Sequence, residues 1–158
     1  MYFEYLPSGI SIGINDDIES RLVSLAKIPT VMAIYRLISE GKLKKDTQLT
    51  IRPQDINRDF GSAWQKGAGS QMTVQEAINL TLTESDNTTH NMLLGVLPRG
   101  DLDRVYNSLD IPLHTEEQHP VISPKNYSSI LHSLFLSSYL PEQYSNEIIA
   151  ILTKSKFR

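Results

Sequence analysis

Residues 23–51 read VSLAKIPTVMAIYRLISEGKLKKDTQLTI. Between Leu25 and Ser39 the apolar residues Leu25, Ile28, Val31, Met32, Ala33, Ile34, Tyr35, Leu37 and Ile38 fall on almost every side of a helical wheel. A surface helix carries a single apolar stripe, so this spacing predicts a helix over 25–39 enclosed on all sides. Gly41 stands where a helix commonly ends, and Lys42, Lys44 and Lys45 complement the negative end of its dipole. Pro29 breaks the rule, because a proline one turn into a helix costs a backbone hydrogen bond. The domain must therefore be built around this segment, with Gln48–Ile51 following as a short strand.

Upstream, Tyr2–Leu6 and Ile10–Ile14 are β-prone runs joined by Pro7-Ser8-Gly9, which reads as a hairpin before the polar break Asn15-Asp16-Asp17. Downstream, Pro53 suits the first turn of a short helix toward Asn57, and Gly61 to Gly69 is a glycine-rich loop holding the single tryptophan. Thr73 and Glu76 have capping-box spacing and open a helix through Leu82. Further helices are predicted over Thr88–Leu97, Asp101–Leu109, Pro124–Leu136 and Pro141–Leu152. No repeat or low-complexity tract interrupts this order. The fold class is α+β, a hairpin followed by a mostly helical body.

With 158 residues, 40% hydrophobic and 21% charged, the chain has the size and composition of one folded domain. Fifteen basic against 18 acidic residues leave a net charge of −3, without the basic excess that phosphate contacts demand. Nucleic acid is not an expected partner. The absence of cysteine excludes disulfides, thiolate metal sites and a cysteine nucleophile. No apolar run approaches the ~20 residues needed to cross a bilayer, and Met1–Leu6 has no signal-peptide character.

Two short patterns carry chemistry. Ser24 and Lys27, three residues apart, share a helix face, so the amine can reach the hydroxyl. A serine becomes a nucleophile when a neighbouring base takes its proton, and a lysine can do so once burial lowers its pKa. Ser39 and Lys42 repeat the spacing at a solvated helix end, so spacing alone is weak, and a capping serine beside a snorkelling lysine is the plain alternative. The second pattern, Ser85-Asp86-Asn87, falls between two helices. Such a loop can present a hydroxyl and an amide to a cleft while the aspartate turns inward to backbone N–H groups; a C-cap followed by an N-cap is its plain alternative.

Together the motifs resemble those of the penicillin-recognising serine enzymes, the class A β-lactamases and D-alanyl-D-alanine peptidases and transpeptidases. The resemblance extends beyond them, since MTVQEAINLTLTESDNTTHNMLL, YFEYLPSGISIGIND and ISPKNYSSILHSLF are similar to a helix–loop–helix, the first hairpin and a later helix of that fold. The separation of 85 − 24 = 61 residues fits the class A-like branch. The resemblance implies a β-lactamase/transpeptidase-like fold, here mainly its helical part plus the N-terminal hairpin of its antiparallel sheet. It implies that Ser24 forms an acyl-enzyme with β-lactams or D-Ala-D-Ala peptides, that Lys27 assists deprotonation and that Ser85 relays a proton. Asn87 would hold the substrate amide, Asp86 would support the loop, and the Ser24 N–H would serve an oxyanion. It implies no cofactor, and a location outside the cytoplasm, secreted or membrane-anchored.

Three departures shape the remaining expectations. The Lys-Thr-Gly motif is absent, so residues 1–158 are expected to be a domain incomplete at its C-terminus, completed by a complementary fragment or partner chain. The hydrolytic Glu-x-x-Leu-Asn loop is also missing from DIPLHTEEQHPVI, residues 110–122, where Glu116 and Glu117 read as solvated charges in a polar turn. Rapid β-lactam hydrolysis is therefore not expected, and a non-catalytic binding or scaffolding module is the alternative. His90, His114, His119 and His132 lack metal-ligand spacing, and His90, just after the loop, reads as a packing residue or one that supports the site residues from behind.

Overall fold

The computed structural model describes residues 1–117 and 119–156; the side chain of His119 lies outside this description. Strands β1 (Tyr2–Tyr5) and β2 (Ile10–Gly13) form the predicted antiparallel hairpin, Phe3 opposite Ile12 and Tyr5 opposite Ile10. The turn closes through N–H donation from Ser8 and Gly9 to the Tyr5 carbonyl, with Gly9 at φ +69°. Tyr2 and Glu4 are half-buried on the side of a later helix, Pro124–Phe135. Phe3, Tyr5, Ile10 and Ile12 share the opposite face, which is exposed, and among the described residues no third strand pairs with the hairpin.

Helix α1 (Lys27–Ser39) is the centre of the molecule. Four helices touch it: α2 (Val74–Thr83), α3 (Asn87–Val96), α4 (Asp101–Ser108) and α6 (Glu142–Leu152). This explains its all-round apolarity. Val31, Met32, Ile34 and Tyr35 have no exposed surface, and neither have Ile78, Leu93 and Ile148 from the surrounding helices. Each such side chain contributes about 1.5–3 kcal/mol by leaving water. Helix α5 (Pro124–Phe135) packs on α6 and carries the hairpin.

The capping box at the start of α2 is present, with Thr73 Oγ1 accepting from the Glu76 N–H at 3.1 Å and Glu76 Oε2 accepting from the Thr73 N–H at 2.7 Å. Strands β4 (Gln48–Thr50) and β5 (Gln71–Thr73) pair antiparallel just before it.

Two expectations need correction. The predicted continuous helix over 25–39 begins instead as a 3₁₀ turn, Val23–Ala26, and becomes α-helical only at Lys27. Pro29 therefore falls in the first α-turn, where an N–H has no intrahelical carbonyl to reach, and its cost disappears. Of the two residues read as a polar turn, Glu116 instead ends a strand of a small sheet, while Glu117 lies in the turn that follows. Strand β7 (His119–Ile122) pairs with β6 (His114–Glu116) on one side and with β3 (Ser20–Arg21) on the other. Glu116 and Glu117 are exposed as expected, and Glu117 accepts from Arg21 at 2.5 Å.

Candidate active site

The chain leaves β3, buries Leu22 and turns sharply into the 3₁₀ segment that carries Ser24. Backbone bonds fix the bend: the Leu22 N–H donates to the Pro120 carbonyl at 3.0 Å and the Leu25 N–H to the Leu22 carbonyl at 2.8 Å. Tyr127 Oη reaches over from α5 and donates to the Leu25 carbonyl at 3.0 Å. Val23, exposed and β-branched, is forced to φ +43°, a conformation that costs an L-residue about 1–2 kcal/mol. Local strain next to Ser24 is thus held by the packing of its neighbours. Ser24 itself is exposed.

Lys27 is 4% exposed and points at the loop between α2 and α3. Its Nζ donates to the Ser85 carbonyl at 2.7 Å, Ser85 Oγ at 2.8 Å and Asn87 Oδ1 at 2.7 Å, while Ser24 Oγ stands further off at 3.4 Å. Ser85 Oγ bridges the gap by donating to Ser24 Oγ at 3.1 Å. Burial lowers the Lys27 pKa below its ordinary 10.5, against the opposing negative charge of Asp86. The residues named from the two sequence motifs are all in this one cluster.

Ser85 adopts φ +52°, and the loop is locked by Asp86. That side chain is fully buried and caps α3, Oδ1 accepting from the Thr89 N–H and Oδ2 from the Ala63 N–H, both at 2.8 Å. Gly61, at φ +87°, lies against it so closely that a Cβ there would come within 2.0 Å of Asp86 Oδ2. The glycine-rich loop is thereby tied to the motif loop.

Asn87 is more occupied than a free recognition amide. Its Oδ1 faces Lys27, and its Nδ2 donates to Asn57 Oδ1 at 3.2 Å. Asn57 had no sequence signal of its own; it enters because its carbonyl accepts from Thr88 Oγ1 at 3.0 Å. Phe60 is likewise visible only in three dimensions. Its half-exposed ring lines two cavities that share Ser24 and Lys27. One, of about 230 Å³, is walled by Leu25, Ile28, Leu82 and Leu152; the other, of about 340 Å³, by Val23, Asp59, Asn87 and His90. Ser24 stands at the junction of the two recesses, and Asp59, Asn87 and His90 put polar groups in the second.

A serine hydroxyl linked through a second hydroxyl to a desolvated lysine, at the edge of a cleft, is the equipment of a serine acyl-transfer centre. The chain belongs to the beta-lactamase enzyme family, whose model matches residues 1–158. It is 26% identical over 119 residues to beta-lactamase VEB-1 of Pseudomonas aeruginosa, a match covering 69% of this chain and 39% of that relative. Among solved structures it is similar to a beta-lactamase from Sphaerobacter thermophilus, with a TM-score of 0.87 and 23% identity over 95% of this chain and 61% of that one. PBP-A superposes with a TM-score of 0.89 at 22% identity, covering 98% of this chain and 62% of its own. A PBP-A variant solved as an acyl-enzyme complex with penicillin G gives 0.87 at 21% identity, covering 98% of this chain and 61% of its own. The fold is that of the β-lactamases, and the chain spans about three-fifths of these structures.

Among the described residues, no helix is long and apolar enough to cross a membrane.

Proposed function

We propose that this chain carries the nucleophilic half of a serine acyl-transfer site acting on β-lactams or on D-Ala-D-Ala peptides. Ser24 attacks the carbonyl and is held in an ester; Lys27, through Ser85, receives the proton; Ser85 returns it to the departing nitrogen. Asn87 orients the substrate amide, Asp86 fixes the loop, and the Ser24 N–H, in the first turn of its 3₁₀ segment, donates to the oxyanion. The observation that carries this reading is the hydroxyl–hydroxyl–amine chain, Ser24 Oγ to Ser85 Oγ at 3.1 Å and Ser85 Oγ to Lys27 Nζ at 2.8 Å. It is a proton path with no break.

Lysine is suited to the task because burial outweighs the opposing charge of Asp86. Burial disfavours the ammonium, so a larger fraction is free amine near neutral pH than for a solvated lysine. The long 3.4 Å separation from Ser24 fits a resting enzyme whose catalytic bonds shorten with substrate in place.

A complementary segment bearing a Lys-Thr-Gly strand completes the cleft, supplying a second oxyanion donor and a cation for the substrate carboxylate. The exposed apolar face of the hairpin, Phe3, Tyr5, Ile10 and Ile12, supports this reading, because an isolated two-stranded sheet with a bare apolar face is marginal in water. These substrates place the protein outside the cytoplasm.

Intact-mass spectrometry tests the reading. The chain is incubated with penicillin G, alone and with the segment of PBP-A that it does not cover. A covalent adduct mapped to Ser24 and lost in Ser24→Ala is expected. No adduct under either condition refutes acyl transfer and leaves the binding or scaffolding module standing.

A further inference from the structure

His90 sits on α3 one turn beyond the motif loop, and its ring lines the cavity of about 340 Å³ that also holds Ser24, Lys27 and Asp59. Thr30 favours one tautomer. Thr30 Oγ1 donates its single hydrogen to the Ala26 carbonyl at 2.9 Å, so toward His90 Nε2, 3.0 Å away, it can only accept. Nε2 therefore carries the ring proton and Nδ1 presents a lone pair. No hydrogen-bond partner of Nδ1 is found among the described residues, and His90 is a half-buried residue of the cavity wall.

The ring is also kept neutral. Burial first, and the positive charge of Lys27 second, bring the His90 pKa down to about 4, so the lone pair is available at neutral pH. Three charged groups surround it: Lys27 on α1, Asp86 at the start of its own helix, and Asp59 in the loop that closes the cavity. Both oxygens of Asp86 are engaged by backbone N–H groups, and Asp59 is solvent-exposed. The three strong Lys27 bonds all go to the motif loop. Among the described residues lining this recess, His90 is a neutral side chain with a basic atom, oriented by a partner.

We propose that His90 is the general base that releases the acyl group from Ser24. This rests on the acyl-transfer reading above and extends it to the second half of the reaction. Nδ1 takes a proton from a cavity water as the water oxygen bonds to the ester carbonyl carbon. The protonated His90 passes this proton to the Lys27 amine, and as the bond from that carbon to Ser24 Oγ breaks Lys27 delivers it to Oγ, so one water is consumed and one free acid and one serine hydroxyl are formed.

The test separates the two halves. The wild-type chain and the His90→Ala, His90→Gln and Asp59→Asn variants are acylated with penicillin G under the conditions above, excess penicillin is removed, and adduct decay is followed by intact mass. In both His90 variants the adduct should form at a rate within a few-fold of wild type and decay about 10²-fold or more slowly. Added imidazole should restore part of the decay in His90→Ala, and wild-type decay should slow on acidification with an inflection that His90→Gln lacks. Asp59→Asn should decay as wild type does. Equal decay in wild type and both His90 variants, a wild-type adduct that never decays, or slow decay confined to Asp59→Asn overturns the role of His90 while acyl transfer stands. No adduct in any chain overturns both.

Discussion

Replacing Asp86 with asparagine (Asp86→Asn) keeps the shape of a fully buried side chain while turning one of its two acceptors into a donor. Both oxygens are in use, at 2.8 Å from the Thr89 N–H and 2.8 Å from the Ala63 N–H, so one backbone N–H must face an amide NH₂. A buried donor left unpaired costs about 1–3 kcal/mol. The lost negative charge at the N-terminus of α3 adds about 0.3–1 kcal/mol. The sum, about 1.3–4 kcal/mol, should lower the thermal midpoint by roughly 2–4 °C per kcal/mol for a chain of this size. The substitution has a second readout. The Asp86 charge is the influence that opposes desolvation of Lys27, so its removal lowers the Lys27 pKa further. Between that lowered pKa and 10.5 the unfolded chain binds more protons than the folded one, and stability rises with pH. In Asp86→Asn this window should extend to lower pH, and the pH midpoint of Ser24 acylation should move down with it. A thermal midpoint within about 1 °C of wild type would refute the assigned hydrogen bonding, and an unmoved acylation midpoint would refute the electrostatic link.

Gly61→Ala should be destabilising by well over the ~1 kcal/mol of an ordinary glycine replacement, because φ is +87° and the new Cβ meets Asp86 Oδ2; in a double-mutant cycle with Asp86→Asn the two losses should fall short of additive. His90→Gln should flatten the acid limb of stability. The folded pKa of about 4 against 6.5 makes His90 cost up to about 2 kcal/mol as pH falls from 7 to 5, and urea midpoints at the two pH values will register whether that difference disappears. Val23→Asn should raise the thermal midpoint, since asparagine tolerates φ +43° better than valine, with a gain of up to about 1 kcal/mol; a lower midpoint would mean that the valine is not strained.

Elements whose own residues dictate them were legible in the sequence. Helix α1 announces itself by enclosure, α2 by its capping box and the hairpin by Pro7-Ser8-Gly9. The 3₁₀ start of α1 was not legible, because Val23–Ala26 continues the same apolar pattern and differs only in which carbonyl each N–H reaches. The β3–β7–β6 sheet was hidden for another reason: its strands are short, β3 and β6 are exposed, and the partners of β3 lie about a hundred residues away. The site divides the same way. Ser24, Lys27 and Ser85-Asp86-Asn87 stand in compact motifs. Asn57, Phe60 and His90 join the site only through tertiary packing, and His90, a half-buried residue bonded to Thr30, also lines the cavity beside Ser24. Its one local sign was proximity to the motif loop.

A lysine ammonium has three hydrogens, and around Lys27 four oxygens compete for them: two of Ser85, one of Asn87 and, most distantly, that of Ser24. The proton is therefore a fastener for the loop as well as cargo. Once Lys27 gives it up, two hydrogens and a lone pair remain, and one of the loop contacts must release. Charging the amine and tightening the cleft are a single event, so anything that pulls the loop outward also favours the free amine over the ammonium.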